Sequence, residues 1–165
     1  MRVGLGYDSH RFVPGRRLVL GGVPIPCDQG LDGWSDADVI AHAVIDALCG
    51  AASLGDIGRL FPPGDPRYRG ASGMSLLECV SGMVAAAGFG IANVDVTVIA
   101  ERPLLGPHIP GMQQRLGAAM GIDAGRATVK AKTNEGMGFV GRSEGIAAFA
   151  VALLESGTGQ LFVAP

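Results

Sequence analysis

Two residue types that bind metals stand two apart near the start of the chain, in "GYDSHRF": Asp8 and His10. On a strand, residues i and i+2 face the same side, so the carboxylate and the imidazole project together. Farther along, Asp38, His42 and Asp46 are spaced by four, which stacks them on one ridge of a helix. A carboxylate can hold the second ring nitrogen of a ligating histidine, and Asp38 and Asp46 are the expected braces of His42. Asp8, His10 and His42 would supply three N/O ligands and leave a fourth position open, the pattern of a working zinc rather than a structural one. Spacing alone equally suits a surface or capping histidine.

The second group lies in "KAKTNEGMGFVGRSEG". Lys130 and Lys132 alternate on one strand face, and the strand ends at Thr133, Asn134 and Glu135, before glycines that can expose backbone N–H groups. Lysine, hydroxyl and amides suit phosphate oxygens, and a terminal carboxylate suits a magnesium ion bridging phosphates. A polar strand end entering a turn has the same appearance. "ERPLLGPHIP" is irregular after a strand and reads either as a base pocket or as a plain loop with Pro107 near a helix start.

The elements that must position these groups follow from periodicity. Strands are expected at 2–9, 17–24, 93–101, 127–135 and 144–155, with a turn at "VPGR" and a glycine loop at 136–143. Helices are expected near 38–53, 74–88 and 108–120, the second opened by a capping box from Ser75 to Glu78. "GDIGRLFPPGDPRYRG" holds too much Gly and Pro for an element, and loops of this length are often functional. The expected fold is α+β: a two-layer α/β sandwich on a mixed four-stranded sheet with an N-terminal hairpin-like extension.

The chain has 165 residues, 48% of them hydrophobic, enough for one core, so residues 1–165 are expected to form a single domain, with 156–165 an aperiodic tail. A formal charge of -2 and the lack of any basic run argue against nucleic-acid and membrane-surface partners and favour a small molecule. No apolar run is long enough to span a bilayer and nothing resembles a signal peptide, so a soluble cytoplasmic protein is expected. Cys27, Cys49 and Cys79 are odd in number and widely spaced, which fits free thiols rather than disulfides or a cysteine zinc site.

Read together, "RVGLGYDSHRF", "LGGVPIP", "SDADVIAHAVIDALCGAASLGDIGRLFP", "NVDVTVIAERP", "PHI" and "VKAKTNEGMGFVGRSEGIAAFAVALL" resemble the 2-C-methyl-D-erythritol 2,4-cyclodiphosphate synthase family, over about residues 2–155. The resemblance implies a homotrimer with active sites shared between subunits. It also implies a reaction of non-mevalonate isoprenoid synthesis, in which 4-diphosphocytidyl-2-C-methyl-D-erythritol 2-phosphate cyclises and CMP leaves. By the same resemblance Asp8, His10 and His42 are zinc ligands, Glu135 binds magnesium or manganese at the diphosphate, and Thr133 and Trp34 hold the catalytic positions that steady the transition state. Asp56, Ile57 and Gly58 match the methylerythritol loop. Ala100, Glu101, Arg102, Pro103, Leu104, Leu105 and Gly106 match the cytosine pocket. Ser9, Trp34, Ser35, Phe61, Asp65, Lys132 and Asn134 are further implied substrate contacts, and Phe139 and Arg142 match a segment near the trimer axis suggested to bind isoprenoid diphosphates.

Three positions depart from the family pattern. Trp34 stands where a histidine credited with transition-state stabilisation is usual, and an indole carries no charge and donates one hydrogen bond. Pro63 replaces a common aspartate, although Asp65 remains in step. Leu104 replaces a usual lysine and so removes a charge near the diphosphate.

Overall fold

The alternation that begins at Val3 continues past Asp8, and the first strand, β1, runs Arg2–Pro14 in the computed structural model, which describes residues 1–156. Next come β2 (Leu18–Leu20) and β3 (Val23–Ile25), a two-stranded hairpin. Its turn, Gly21–Gly22, has φ of 55° and 74°, the left-handed conformation that tight hairpins require and glycine adopts at no steric cost. Then follow β4 (Gln29–Leu31), α1 (Val39–Ala52), α2 (Ile57–Leu60), α3 (Gly73–Ala86), β5 (Phe89–Ile99), α4 (Ile109–Met120), β6 (Ala127–Lys132), α5 (Gly138–Gly141) and β7 (Gly145–Ser156).

The main sheet has the order β4-β1-β7-β5-β6, in which β5 and β6 are parallel and the other neighbours antiparallel. Its four long strands are the mixed four-stranded sheet expected, whereas the single strand expected at 17–24 is broken at Gly21–Gly22 into the separate β2–β3 hairpin. The short β4, whose three residues are too few to show a period, adds a fifth strand at the end of β1, pairing Leu31 with Phe12. Helices α1, α3 and α4 cover one face of the sheet. Val39, Ile40, Val44, Ile45 and Leu48 of α1 are fully buried, and each such side chain contributes about 1.5–3 kcal/mol of transfer free energy. The seam between β1 and α1 is tight: a Cβ at Gly6 would lie 1.9 Å from the Ala43 carbonyl oxygen, and one at Gly4 1.9 Å from that of Ala47.

Among the described residues, no helix lies over β1 and β7 on the other face of the sheet. Val3, Leu5 and Tyr7 of β1 and Phe149 and Val151 of β7 are exposed there, with the Tyr7 and Phe149 rings 4.8 Å apart. No described helix is long and apolar enough to cross a membrane.

Three local expectations are corrected. Helix α3 starts one turn earlier than a Ser75 cap would allow: its N-cap is Ser72, whose side chain makes no capping bond, so Ser75 and Glu78 lie inside the helix. "GDIGRLFPPGDPRYRG" contains α2 and a single 3-10 turn at Pro66–Tyr68, each begun by an aspartate, Asp56 or Asp65, whose carboxylate caps the turn. The glycine loop holds α5, since Gly141 packs against the Gly136 backbone where no side chain would fit. Residues 157–165, nearly all of the expected tail, lie outside the described residues.

Candidate active site

Asp8 and His10 leave β1 on the face that carries Gly4 and Gly6, toward α1, and His42 meets them from the first turns of that helix. Asp8 Oδ2 is 2.9 Å from His10 Nε2 and 3.0 Å from His42 Nδ1, and the two ring nitrogens are 3.2 Å apart. Donors held about 2.0–2.1 Å from a tetrahedral zinc lie about 3.3 Å from one another, so the three atoms are already near the spacing a cation imposes. Together they form a cluster able to hold a divalent cation. Burial by itself would raise the Asp8 pKa, but its hydrogen bonds to His10 and His42 hold the carboxyl well below the usual carboxylate range. Burial works against a charged His10 ring, and the adjacent Asp8 outweighs it and raises the pKa.

His42 presents Nδ1 to the cluster because Nε2 faces the buried Ser35 hydroxyl, 3.1 Å away, which also accepts the Ala37 N–H. The expected carboxylate braces are therefore corrected. Asp38 caps α1, with Oδ1 accepting from the N–H groups of Gly21, Ile40 and Ala41 and Oδ2 from that of Gly22 at 2.6 Å. It fastens the hairpin turn to the helix; full burial pushes its pKa up to about 6, although the N–H groups pull it down. Asp46 accepts the Ile57 N–H at 2.8 Å and ties the start of α2 to α1. Spacing by four stacks His42 and Asp46 on α1, whereas Asp38 lies just outside the helix in an extended conformation as its N-cap, and backbone donors claim both carboxylates.

The cluster opens into a cavity of about 210 Å³ also lined by Trp34, Ser35, Ile57, Gly58, Phe61, Pro63, Tyr68 and Leu76. Tyr68 and Leu76 carried no signal in the sequence, since both look like packing residues. Trp34 donates its indole N–H to the Asp65 carbonyl at 2.8 Å, its own carbonyl accepts the Gly70 N–H, and the Arg69 guanidinium lies 5.7 Å from its ring centroid. The Asp56 carboxylate accepts the Arg59 N–H, and that of Asp65 pairs with Arg67 at 2.7 Å. Ser9 gives its backbone N–H to Asp8 Oδ1.

A second cavity, of about 260 Å³, opens where β5 and β6 end. Ala100, Glu101, Pro103, Leu104, Leu105 and Gly106 line it together with Lys132 and Thr133; Arg102 lines an adjoining groove with Cys27 and Asp28. Glu101 does structural service there, accepting the N–H groups of Asn134 and Gly136 through Oε1. Thr133 donates its hydroxyl to Glu135 Oε1 at 2.7 Å, and Glu135 has a left-handed φ of 52°. The Asn134 amide donates to the Met137 carbonyl. Phe139 is exposed on α5, and Arg142, just after it, pairs with Glu144 at 2.6 Å.

One chain does not bring the two groups together. Asp8 is opposite Ala148 of β7, Ala148 is opposite Val98 of β5, and Val98 is opposite Ala131 of β6. Three strand spacings of about 4.8 Å separate the cluster from the β6 edge where Thr133 and Glu135 lie.

Comparison with known proteins finds that the model of the YgbB family matches residues 1–155. The chain is 58% identical over 155 residues to a 2-C-methyl-D-erythritol 2,4-cyclodiphosphate synthase of Dehalococcoides mccartyi, covering 94% of this chain and 99% of the relative. It is also 58% identical to the synthase of the same name from Symbiobacterium thermophilum, covering 93% and 98%. Among solved structures, a synthase of that name in a CDP-bound form superposes with a TM-score of 0.85 at 38% identity, over 93% of this chain and all of the other.

Proposed function

The chain belongs to the YgbB family, and from that membership and its site we infer that it carries out the reaction for which its relatives are named. It converts 4-diphosphocytidyl-2-C-methyl-D-erythritol 2-phosphate to 2-C-methyl-D-erythritol 2,4-cyclodiphosphate with release of CMP, a step of non-mevalonate isoprenoid precursor synthesis. The observation that carries the reading is the Asp8–His10–His42 cluster at the mouth of a cavity bounded by Ile57, Gly58 and Phe61.

Asp8, His10 and His42 would hold zinc or a similar divalent ion, and Glu135 a magnesium or manganese; when bound, these ions would supply Lewis-acid polarisation and neutralise phosphate charge. The remaining work is positioning. The cavity seats the methylerythritol, with Asp56 as hydroxyl acceptor, so that the 2-phosphate meets the β-phosphorus within one molecule and the entropic part of the barrier falls. The β5–β6 edge takes the cytidine between Ala100 and Gly106, reading it through backbone groups, and Lys132, Thr133 and Asn134 face the phosphates. CDP in the matched structure supports a cytidine diphosphate ligand. Trp34 acts here as a wall, because its one N–H is already given to Asp65.

Residues 1–165 act as a single catalytic domain, in the cytoplasm, and three copies assemble. Two features support the trimer. The exposed apolar face of β1 and β7 is larger than scattered surface residues require. The separation of the cation cluster from Thr133 and Glu135 is resolved if a neighbouring subunit's edge completes each site. Phe139 and Arg142 would then lie close to the axis, where an isoprenoid diphosphate could bind.

The test is 31P NMR of the purified protein with the substrate, zinc and magnesium. Cyclic diphosphate plus CMP is expected. A linear, water-derived product would replace cyclisation by hydrolysis, and no turnover by folded, metal-loaded protein would remove the activity.

A further inference from the structure

The segment Gly33–Ser35 touches both histidines of the cation cluster. Gly33 abuts His10, since a Cβ added to it would lie 3.3 Å from His10 Cε1. Ser35 meets His42 through its hydroxyl, 3.1 Å from Nε2. Between them Trp34 walls the cavity. The placement of this strap therefore sets both rings at once.

What holds the strap comes from outside the cavity. Arg16, in the turn between β1 and β2, donates Nη1 to the Gly33 carbonyl at 2.5 Å and Nη2 to the Ser35 carbonyl at 2.6 Å. On the other side the Trp34 carbonyl accepts the Gly70 N–H, and the Asp36 N–H reaches the Ala71 carbonyl. Charge-assisted bonds are the stronger kind, and a planar guanidinium can span two carbonyls that a single ammonium cannot hold in the same geometry.

We propose that Arg16 is a positioning residue for the reaction: by clasping the carbonyls of Gly33 and Ser35 it orients His10, His42 and the Trp34 wall without touching substrate or metal. The proposal rests on the cyclase reading for its kinetic consequence and on geometry alone for its structural one. Releasing the strap loosens the rings that bind the cation, and the cytidine cavity at the far sheet edge is left as it was.

The experiment compares wild type, Arg16→Met and Arg16→Lys. Trp34 is the sole tryptophan, so acrylamide quenching of its fluorescence in metal-free protein reports the strap directly, and cobalt(II) titration with the absorption spectrum of the bound ion reports ligand geometry. For Arg16→Met we expect faster quenching, an altered cobalt spectrum, and affinity reduced about tenfold or more, the scale seen when partners of metal ligands are removed. The kcat should fall by a larger factor than KM rises, and Arg16→Lys should recover part of each change. Wild-type cobalt affinity, spectrum and quenching in Arg16→Met would overturn the proposal. If Arg16→Met does not fold, wild-type values of the same readouts in Arg16→Lys would overturn it. A wild-type protein that makes no cyclic product would refute the reaction assigned above and leave Arg16 to be decided by the quenching and cobalt measurements.

Discussion

Gly6→Ala adds one methyl group and removes no ligand, yet it should disable the cation site. The new Cβ would lie 1.9 Å from the Ala43 carbonyl oxygen and 2.7 Å from the Ala47 nitrogen, both helix backbone that cannot rotate away. Real Cβ contacts stay beyond 3.0 Å, so β1 and α1 must part by at least 1.1 Å at this point. Asp8 follows Gly6 on the same strand face and His42 precedes Ala43 on the helix, so the 3.0 Å gap between their ligand atoms spans the same seam. Parting the seam by that amount takes the gap to about 4 Å, against a tolerance of about 0.2 Å in metal–ligand distance. Overpacking of this kind also costs about 1–3 kcal/mol of stability. Gly4→Ala makes the same 1.9 Å clash one helical turn farther from the site, with Ala47, and serves as the control. Both variants should lose similar stability in urea unfolding of metal-free protein, while zinc affinity by chelator competition falls much further in Gly6→Ala. Wild-type zinc affinity in Gly6→Ala, or equal losses in the two variants, would refute the reasoning.

His42→Ala should lower zinc content below stoichiometric and abolish turnover, because it removes one of three ligand atoms; zinc retained at one per chain in metal analysis would sink the assignment. Cys49 is fully buried in α1, and burial, assisted by the charges of Asp46 and Asp56, pushes its thiol up to about 11. It should therefore stay unreactive toward Ellman's reagent at pH 8 in native protein and appear only on unfolding. A native titration that reaches all three thiols at one rate would contradict the packing of α1 against the sheet.

The cation cluster was half legible: local periodicity placed its residues but left a surface or capping histidine open, and the set of three came from the family resemblance. Asp8 and His10 share a face by strand alternation, and a histidine within "SDADVIAHAVIDAL" must lie on a helix. The braces were not legible. Periodicity states the direction in which Asp46 leaves α1 and overruns the helix at Asp38, its cap, whereas their partners include the N–H groups of Gly21, Gly22 and Ile57, brought close by the fold. Arg16 shows the same limit, since "GRRL" reads as a charged turn and nothing in its neighbourhood points to carbonyls beyond β4.

The sequence by itself determined the mixed α/β class, the long strands and helices and the family, and through the family resemblance it pointed to Asp8, His10 and His42 as the cation cluster. Only the tertiary structure decided which nitrogen of His42 faces the cluster, that Ser35 rather than a carboxylate holds its other nitrogen, and that Thr133 and Glu135 stand three strands away from the cluster. The physical reason is that spacing along the chain sets where a side chain points, while its partner is chosen by competition among every donor and acceptor that packing brings within reach.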